Sequence, residues 1–274
     1  MSNLFQVQSH EMLFSQPTIL ALDFDGVICN GMSEYLATSW QTYGRIWGLE
    51  TSEMPDSLGD RFSKFRPLIE TGWEMPVLIR ALILNIPETE ITQNWSSVCQ
   101  NILDRDHLTS LEIAKQLDGL RDEWIERDVD SWLALHEFYP GIVERLKGLF
   151  DSPTKLVIIT TKEGRFVDEI LNQQAIRIDR INIFGKEQKR PKSATLKQLI
   201  AQNQDEVIWF VEDRYQTLQK IVANPDLVSV KLYLADWGYN TARERQLARI
   251  DSKVKLISLV DFSQDFSQWD RDQL

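Results

Sequence analysis

Cysteine is scarce in this chain of 274 residues, in which only Cys29 and Cys99 occur. Two thiols are too few for a disulfide framework or for a zinc site built from thiolates, so neither is expected here. Long apolar runs are also missing, because no stretch approaches the roughly 20 residues that cross a bilayer. The first lysine or arginine is Arg45, so the amino-terminal residues lack the basic start of a secretory signal. We therefore expect a cytoplasmic protein with no membrane partner.

Positive charge is in the minority, with 30 lysines and arginines against 41 aspartates and glutamates and a net charge of −11. Affinity for nucleic-acid backbones comes from basic residues that neutralise phosphates, so this balance argues against a nucleic-acid partner. Apolar residues make up 43% of the chain and charged residues 26%, which is typical of a globular protein. An anionic substrate would therefore need positive charge gathered at its binding site.

The most informative segment is an acidic turn after the apolar run 18–22. Asp23 and Asp25 stand two positions apart, and Gly26 follows them. Residues two apart point to the same side of a strand, so both carboxylates can converge at the end of that strand. At about 4 Å, two like charges repel each other by roughly 4 kcal/mol at a protein surface. The pair therefore predicts a bound divalent metal, a shared proton or both, with an ordinary acidic turn as the alternative.

Three further apolar runs, residues 155–159, 181–184 and 207–211, are predicted to be buried strands that end on polar residues. Hydroxyl groups and lysine ammonium groups can donate to phosphoryl oxygens, and adjacent carboxylates suit a hard cation with oxygen ligands. The residues that follow the runs are, in order, Thr160, Thr161 and Lys162; Lys186, Lys189, Arg190 and Lys192; and Glu212 and Asp213. These residue types together indicate a site for a phosphate group and a metal.

This order of motifs resembles the haloacid dehalogenase superfamily of phosphatases and phosphotransferases, over all four segments and most of the chain. The resemblance implies an α/β fold, with a doubly wound parallel-sheet, Rossmann-like core and an inserted α-helical cap domain. We place the core at residues 1–31 and 138–274 and the cap at residues 32–137. The segment Gly238-Tyr239-Asn240 is similar to one found in the phosphoglycolate-phosphatase-like subgroup.

The resemblance also assigns roles to residues of the first two motifs. It makes Asp23 the nucleophile, and Asp25 the acid/base whose backbone carbonyl binds Mg²⁺ beside Asp23. It makes Thr160 the catalytic hydroxyl residue after the second strand, and we add Thr161 and Lys162 as substrate-binding residues. Dehalogenases of the family lack the second aspartate, so its presence here favours an oxygen-linked phosphate as the substrate.

The third and fourth motifs of the family supply a lysine and an acidic pair. The lysine is assigned to Lys192, with Lys186 and Lys189 as alternatives. The acidic pair is assigned to Glu212 and Asp213, and either of them is a candidate for direct contact with the metal. The resemblance thus implies Mg²⁺ as the cofactor.

The insertion of more than one hundred residues after the first motif is predicted to be helical. Helices are expected over residues 33–47 and 77–86, and leucines and an alanine recur in steps of three between residues 108 and 120. Segments 71–74 and 109–112 resemble helix capping boxes, as does segment 241–244 beyond the insertion. Arginine binds phosphate and carboxylate in a bidentate manner, so the candidate substrate anchors of the insertion are Arg61, Arg66 and Arg80, of which Arg66 is preferred.

Further helices and a strand are predicted in the core segment that follows the insertion. Helices are expected over residues 142–149, 165–172 and 194–201, the last capped by Ser193, and a fifth strand is expected over residues 228–234.

The function implied is a Mg²⁺-dependent phosphatase that hydrolyses a small phosphorylated metabolite through an aspartyl-phosphate. A phosphomutase acting on sugar phosphates and a non-catalytic sensor of a phosphorylated metabolite are the alternatives. The particular phosphate ester and the oligomeric state do not follow from the sequence.

Overall fold

The structure is a computed structural model that describes residues 16–48, 53–176, 181–202 and 206–269. The chain divides into two compact units, one made of Met1–Asn30 with Phe138–Leu274 and the other of Gly31–Glu137. Among the described residues, none of the helices has both the length and the apolar composition of a membrane span.

The first unit is built on a parallel sheet. Its strands are β1 (Ile19–Leu22), β4 (Lys155–Ile159), β5 (Ile181–Phe184), β6 (Ile208–Glu212), β7 (Lys231–Ala235) and β8 (Val254–Ile257), while the two-residue strands β2 (Cys29–Asn30) and β3 (Glu137–Phe138) lie outside this sheet. In the described residues the spatial order is β5-β4-β1-β6-β7-β8. Strand β1 therefore lies in the middle of the sheet, and later strands are added on both sides of it, which confirms the predicted doubly wound, Rossmann-like α/β core.

Helices connect the strands of the first unit, and two short helices follow its last strand. They are α6 (Ile142–Phe150), α7 (Gly164–Gln173), α8 (Lys192–Gln202), α9 (Tyr215–Val222), α10 (Ala242–Ile250), α11 (Leu259–Phe262) and α12 (Phe266–Trp269), with 3₁₀ turns at Lys186–Gln188 and Pro225–Leu227. Strand β1 is buried along its whole length, as expected for a central strand covered on both faces. One buried core cluster joins β1, β4, β6 and β7 to α8, α9 and α10.

The second unit is helical. Its helices are α1 (Met32–Trp47), α2 (Leu58–Phe65), α3 (Glu74–Ile83), α4 (Glu88–Asp106) and α5 (Ser110–Leu133), with a 3₁₀ turn at Arg66–Leu68. Helix α1 packs against α3 and α5. The buried carboxylate of Glu34 on α1 accepts two hydrogen bonds from Arg121 on α5, at 2.7 and 3.0 Å. Such a fully paired buried charge joins two helices without leaving an unsatisfied group.

Several predicted boundaries were wrong, each for a local physical reason. Helix α8 begins at Lys192, so Ser193 lies in its first turn and does not cap it. Helix α3 begins at Glu74, so it starts before residue 77, and Thr71 donates to the Glu74 carboxylate from outside the helix without forming the reciprocal box. Strand β7 begins at residue 231, because the apolar Val228 follows a 3₁₀ turn and is 79% exposed. The capping boxes at Thr109 and Thr241 are confirmed.

Candidate active site

A tight turn follows β1 and directs two acidic side chains. The backbone oxygen of Phe24 accepts hydrogen bonds from the amides of Ile28 and Cys29, at 2.9 and 3.0 Å. Gly26 adopts a φ of +86°, a conformation that residues with a Cβ rarely adopt. At the start of the turn, the Phe24 amide donates to Oδ1 of Asp23 at 2.8 Å. The turn therefore holds the Asp23 carboxylate at the carboxyl end of β1.

The parallel register of β1 and β6 brings Asp23 beside the acidic pair. Leu22 is paired with Val211, and the Asp23 amide donates to the Val211 oxygen at 2.9 Å. Asp23, Glu212 and Asp213 are all buried, and one carboxylate oxygen from each lies within 4.8 Å of the other two. Residues of the first and fourth predicted motifs therefore meet at one edge of the sheet.

Lys192 lies between two of these carboxylates. Its Nζ is 2.8 Å from Oδ1 of Asp23 and 2.7 Å from Oε2 of Glu212. The side chain comes from the first residue of α8, so the start of that helix sets its position. The other lysine candidates, Lys186 and Lys189, are exposed. The structure thus brings Lys192 of the third motif to Asp23.

Burial and like charge shift the protonation of this cluster. Burial, followed by repulsion from Glu212, raises the pKa of Asp23 to about 7, although Lys192 acts in the opposite direction. Burial also raises the pKa of Glu212 above its usual range. Burial lowers the pKa of Lys192, but the Asp23 and Glu212 carboxylates outweigh burial and raise it above its usual range. In their ionised forms, the three carboxylates would carry more negative charge than one lysine neutralises.

This imbalance and the donor set fit a bound divalent cation. The cluster offers carboxylate oxygens from Asp23, Glu212 and Asp213, which are the ligands of hard cations. Both oxygens of Glu212 already accept hydrogen bonds, Oε2 from Lys192 and Oε1 from the Arg214 amide at 3.1 Å. Burial and repulsion from Glu212 disfavour the ionised form of Asp23, and a bound cation would offset that negative charge.

Two glycines make room for Asp213. A Cβ added at Gly26 would overlap the Asp213 carboxylate, and one added at Gly238 would overlap the Asp213 Cβ and the Gly26 oxygen. On the same side, the Tyr239 amide donates to Oδ2 of Asp213 at 2.7 Å. The sequence does not predict these contacts, and its only signal for them is the Gly238-Tyr239-Asn240 segment.

The end of β4 supplies a second lysine. The Nζ of Lys162 lies 3.3 Å from Oδ1 of Asp25, and its side chain is only 7% exposed. The Lys162 amide donates to the buried Thr160 hydroxyl at 3.1 Å, and its backbone oxygen accepts from the Lys186 amide at 2.9 Å. Thr161, the residue between them, is exposed. The loop after β4 is therefore fixed by backbone bonds and directs Lys162 to Asp25.

The candidate arginines of the second unit have partners within that unit. The Arg66 guanidinium stacks over the Tyr35 ring at 4.8 Å, and its Nη1 donates to the Ile69 oxygen at 3.3 Å. Arg80 forms a hydrogen-bonded ion pair with Asp106 at 3.0 Å. Arg61 lies 3.8 Å from Glu88. Each of the three arginines therefore has at least one partner within its own unit.

No protein-family model matches the sequence, and no curated protein matches it significantly. Among solved structures, a predicted phosphatase from Clostridium acetobutylicum is 16% identical, with a TM-score of 0.55 over 89% of this chain and 95% of that one. A haloacid dehalogenase-like hydrolase from Streptococcus pneumoniae is 14% identical, with a TM-score of 0.54 over 89% and 94%. A predicted phosphoglycolate phosphatase from Haemophilus somnus is 14% identical, with a TM-score of 0.54 over 91% and 95%. The chain therefore has the fold of the haloacid dehalogenase-like hydrolases and phosphatases, as its motifs predict.

Proposed function

We propose that the protein is a Mg²⁺-dependent phosphatase that hydrolyses a small phosphorylated metabolite through an aspartyl-phosphate on Asp23. The observation that carries this proposal is the meeting of Asp23, Lys192, Glu212 and Asp213 in one buried cluster. Three motifs that are distant in the sequence supply the groups that phosphoryl transfer needs: the first gives a nucleophile and a proton carrier, the third gives positive charge, and the fourth gives ligands for a cation.

Asp23 is the proposed nucleophile. Its carboxylate oxygen attacks the phosphorus of the ester, so that one bond from Asp23 to phosphorus forms as the bond to the leaving oxygen breaks. Both reactants are anions, so the attack requires nearby positive charge. The Lys192 ammonium, 2.8 Å from Asp23, supports a role in neutralising the nucleophile and the phosphoryl oxygens as they approach.

Asp25 is the proposed proton carrier. It donates a proton to the leaving alkoxide and later accepts one from the water that attacks the aspartyl-phosphate. That second attack breaks the bond from Asp23 to phosphorus, releases inorganic phosphate and restores both carboxyl groups. Asp25 follows Asp23 by two residues across the turn after β1, which supports their action on the same phosphate group, Asp23 on its phosphorus and Asp25 on its leaving oxygen.

Mg²⁺ is the proposed cofactor, held by Asp23, the backbone oxygen of Asp25 and Asp213. When bound, it would neutralise negative charge on the nucleophile and on the phosphoryl group. We prefer Asp213 over Glu212 as the direct ligand, because both Glu212 oxygens already accept hydrogen bonds from the protein. Glu212 then serves to hold Lys192.

The proposed substrate is a small phosphate ester. Thr160, Thr161 and Lys162, at the end of β4, are proposed to bind its phosphoryl oxygens, and the buried Lys162 ammonium near Asp25 supports this assignment. We propose further that the helical unit Gly31–Glu137 acts as a cap and that its Arg66 contacts the substrate. A cap that excludes water would restrict the substrate to a small molecule.

The test is a screen of phosphorylated metabolites that measures inorganic phosphate release, with Mg²⁺ and with EDTA, for the wild type and for Asp23→Asn. We expect at least one ester to be hydrolysed only with Mg²⁺, and we expect Asp23→Asn to abolish turnover while it keeps the wild-type circular dichroism. Substantial activity of Asp23→Asn, or hydrolysis that EDTA leaves unchanged, would contradict the proposal. Measuring phosphate release also separates a phosphatase from a mutase.

A further inference from the structure

The loop after β7 surrounds Asp213 with directed hydrogen bonds. The side-chain Nδ2 of Asn240 donates to the Asp213 backbone oxygen at 3.0 Å and to the Ala235 oxygen at 2.7 Å. The Tyr239 amide donates to Oδ2 of the same aspartate at 2.7 Å. Asp213 is therefore held at its main chain and at its carboxylate by consecutive residues of one loop.

Asn240 is itself held firmly. It is 6% exposed, and its two oxygens accept from Nη1 of Arg245, the side-chain oxygen at 2.8 Å and the backbone oxygen at 3.1 Å. The next residue, Thr241, caps α10, the helix that carries Arg245. The amide of Asn240 thus has one orientation, in which its oxygen faces Arg245 and its nitrogen faces Asp213.

Close packing also limits the position of Asp213. Gly238 lies so near that a Cβ there would overlap the Asp213 Cβ. The same added atom would also meet the backbone oxygen of Gly26, in the turn that carries Asp23 and Asp25. The loop and that turn therefore confine the Asp213 side chain between them.

We infer that Asn240 is a positioning residue for the divalent cation, acting through Asp213, and that Gly238 supplies the close approach it needs. This inference rests on the proposed function, in that Asp213 is taken as a ligand. Asn240 itself touches no cation in this account. It fixes the main chain of Asp213, and the Tyr239 amide orients the carboxylate, so that one oxygen is aimed at the cluster with Asp23. Partners that orient a metal ligand in this way typically contribute about 10- to 100-fold to metal affinity.

Two variants and two matched controls of the full chain test the inference. Asn240→Leu keeps a similar volume but removes the donor to Asp213, and Asn224→Leu also removes a loop asparagine, whose Oδ1 accepts from the Asp226 amide at 3.2 Å. Gly238→Ala adds the overlapping Cβ, whereas Gly148→Ala adds a Cβ that meets nothing within 4 Å.

The measurement is the dissociation constant of Mg²⁺ by calorimetry at pH 8, accompanied by thermal unfolding in EDTA. We expect Asn240→Leu and Gly238→Ala to bind Mg²⁺ about 10- to 100-fold more weakly than the wild type, and we expect both controls to bind as the wild type does. If Asn240→Leu does not fold, Gly238→Ala against Gly148→Ala still decides the result.

The outcomes separate this inference from the proposed function. If Asn240→Leu and Gly238→Ala bind Mg²⁺ as tightly as the wild type but melt at a lower temperature in EDTA, the two residues have a structural role only. That result would overturn the inference. A wild-type protein that binds no Mg²⁺ would overturn both the inference and the proposed cofactor.

Discussion

The ammonium of Lys192 lies 2.8 Å from Oδ1 of Asp23, and both side chains are at least seven-eighths buried. The same ammonium lies 2.7 Å from Glu212, so one lysine serves two buried carboxylates. Removing one member of a buried charge cluster leaves the others without their counter-charge, which costs more than the ion pair contributes. Lys192 is therefore expected to matter for folding as well as for phosphoryl transfer.

Lys192→Met should destabilise the protein by about 3–5 kcal/mol at pH 8 and should abolish phosphate release, because Asp23 and Glu212 lose their shared cation. The matched control is Lys197→Met on the same helix, whose partner Asp226 is 68% exposed at its side chain. That exposed pair should contribute at most about 1 kcal/mol. Urea unfolding in EDTA measures both, and equal losses for the two variants would contradict the role given to Lys192.

Asp23 should make the metal-free protein less stable as the pH rises. Its pKa is raised to about 7 from the usual value of 3.8, so the folded protein binds the proton more tightly than the unfolded chain does. The contribution of Asp23 to the free energy of unfolding is greatest below about pH 4 and is lost as the pH rises to about 7. The difference between the two pKa values corresponds to on the order of 4 kcal/mol in the free energy of unfolding.

Asp23→Asn should therefore be more stable than the wild type at pH 8 in EDTA, and this advantage should shrink as the pH falls to 5. The amide has nearly the shape of the protonated carboxyl group but carries no charge at any of these pH values. Urea unfolding of the two proteins at several pH values gives the comparison. An advantage that does not change with pH would show that the ionised carboxylate carries no penalty in the folded state.

Gly26→Ala should cost activity and stability for two separate reasons. An alanine at φ +86° is strained by roughly 1–2 kcal/mol, and its Cβ would overlap the Asp213 carboxylate. Gly48→Ala gives a comparison without steric overlap, because Gly48 has φ +78° and ψ 154° and nothing lies within 4 Å of the added Cβ, so its losses come from backbone strain. Activity and urea unfolding of the two variants test the difference. Similar losses in stability, with normal activity of Gly26→Ala, would rule out the steric role.

Much of the fold could be predicted because of one geometric property of parallel sheets. Strands that run in the same direction end at the same edge, so polar residues after β1, β4 and β6 are expected to meet there. Asp23 and Thr160 follow β1 and β4, and Glu212 is the last residue of β6. The register that aligns Leu22 with Val211 brings Asp23 to the acidic pair. The doubly wound order was expected from the resemblance of the motifs to the haloacid dehalogenase superfamily.

The boundaries were less predictable because apolar character alone does not determine where an element starts. Val228 looks like the first residue of a strand, but the 3₁₀ turn before it leaves it exposed and delays β7 to residue 231. Ser193 looks like a helix cap, but α8 already starts at Lys192. At Val228 the preceding turn decided where the strand begins.

The hydrogen bonds and close packing around the acidic residues could not be predicted, because they depend on distances between loops. Nothing in the sequence states that Asn240 faces the backbone of Asp213, or that Gly238 approaches its Cβ. Similarly, the pairing of Lys162 with Asp25 depends on how the loop after β4 is held by the loop after β5.

The most direct test of the central claim identifies the atom that accepts the phosphoryl group. The protein is incubated with Mg²⁺ and acetyl phosphate, quenched with borohydride, which reduces an aspartyl-phosphate to homoserine, and digested for mass spectrometry. We predict homoserine at position 23, and none when Asp23→Asn is treated in the same way. Homoserine in place of another aspartate would contradict the account. So would release of phosphate from acetyl phosphate by Asp23→Asn at the wild-type rate.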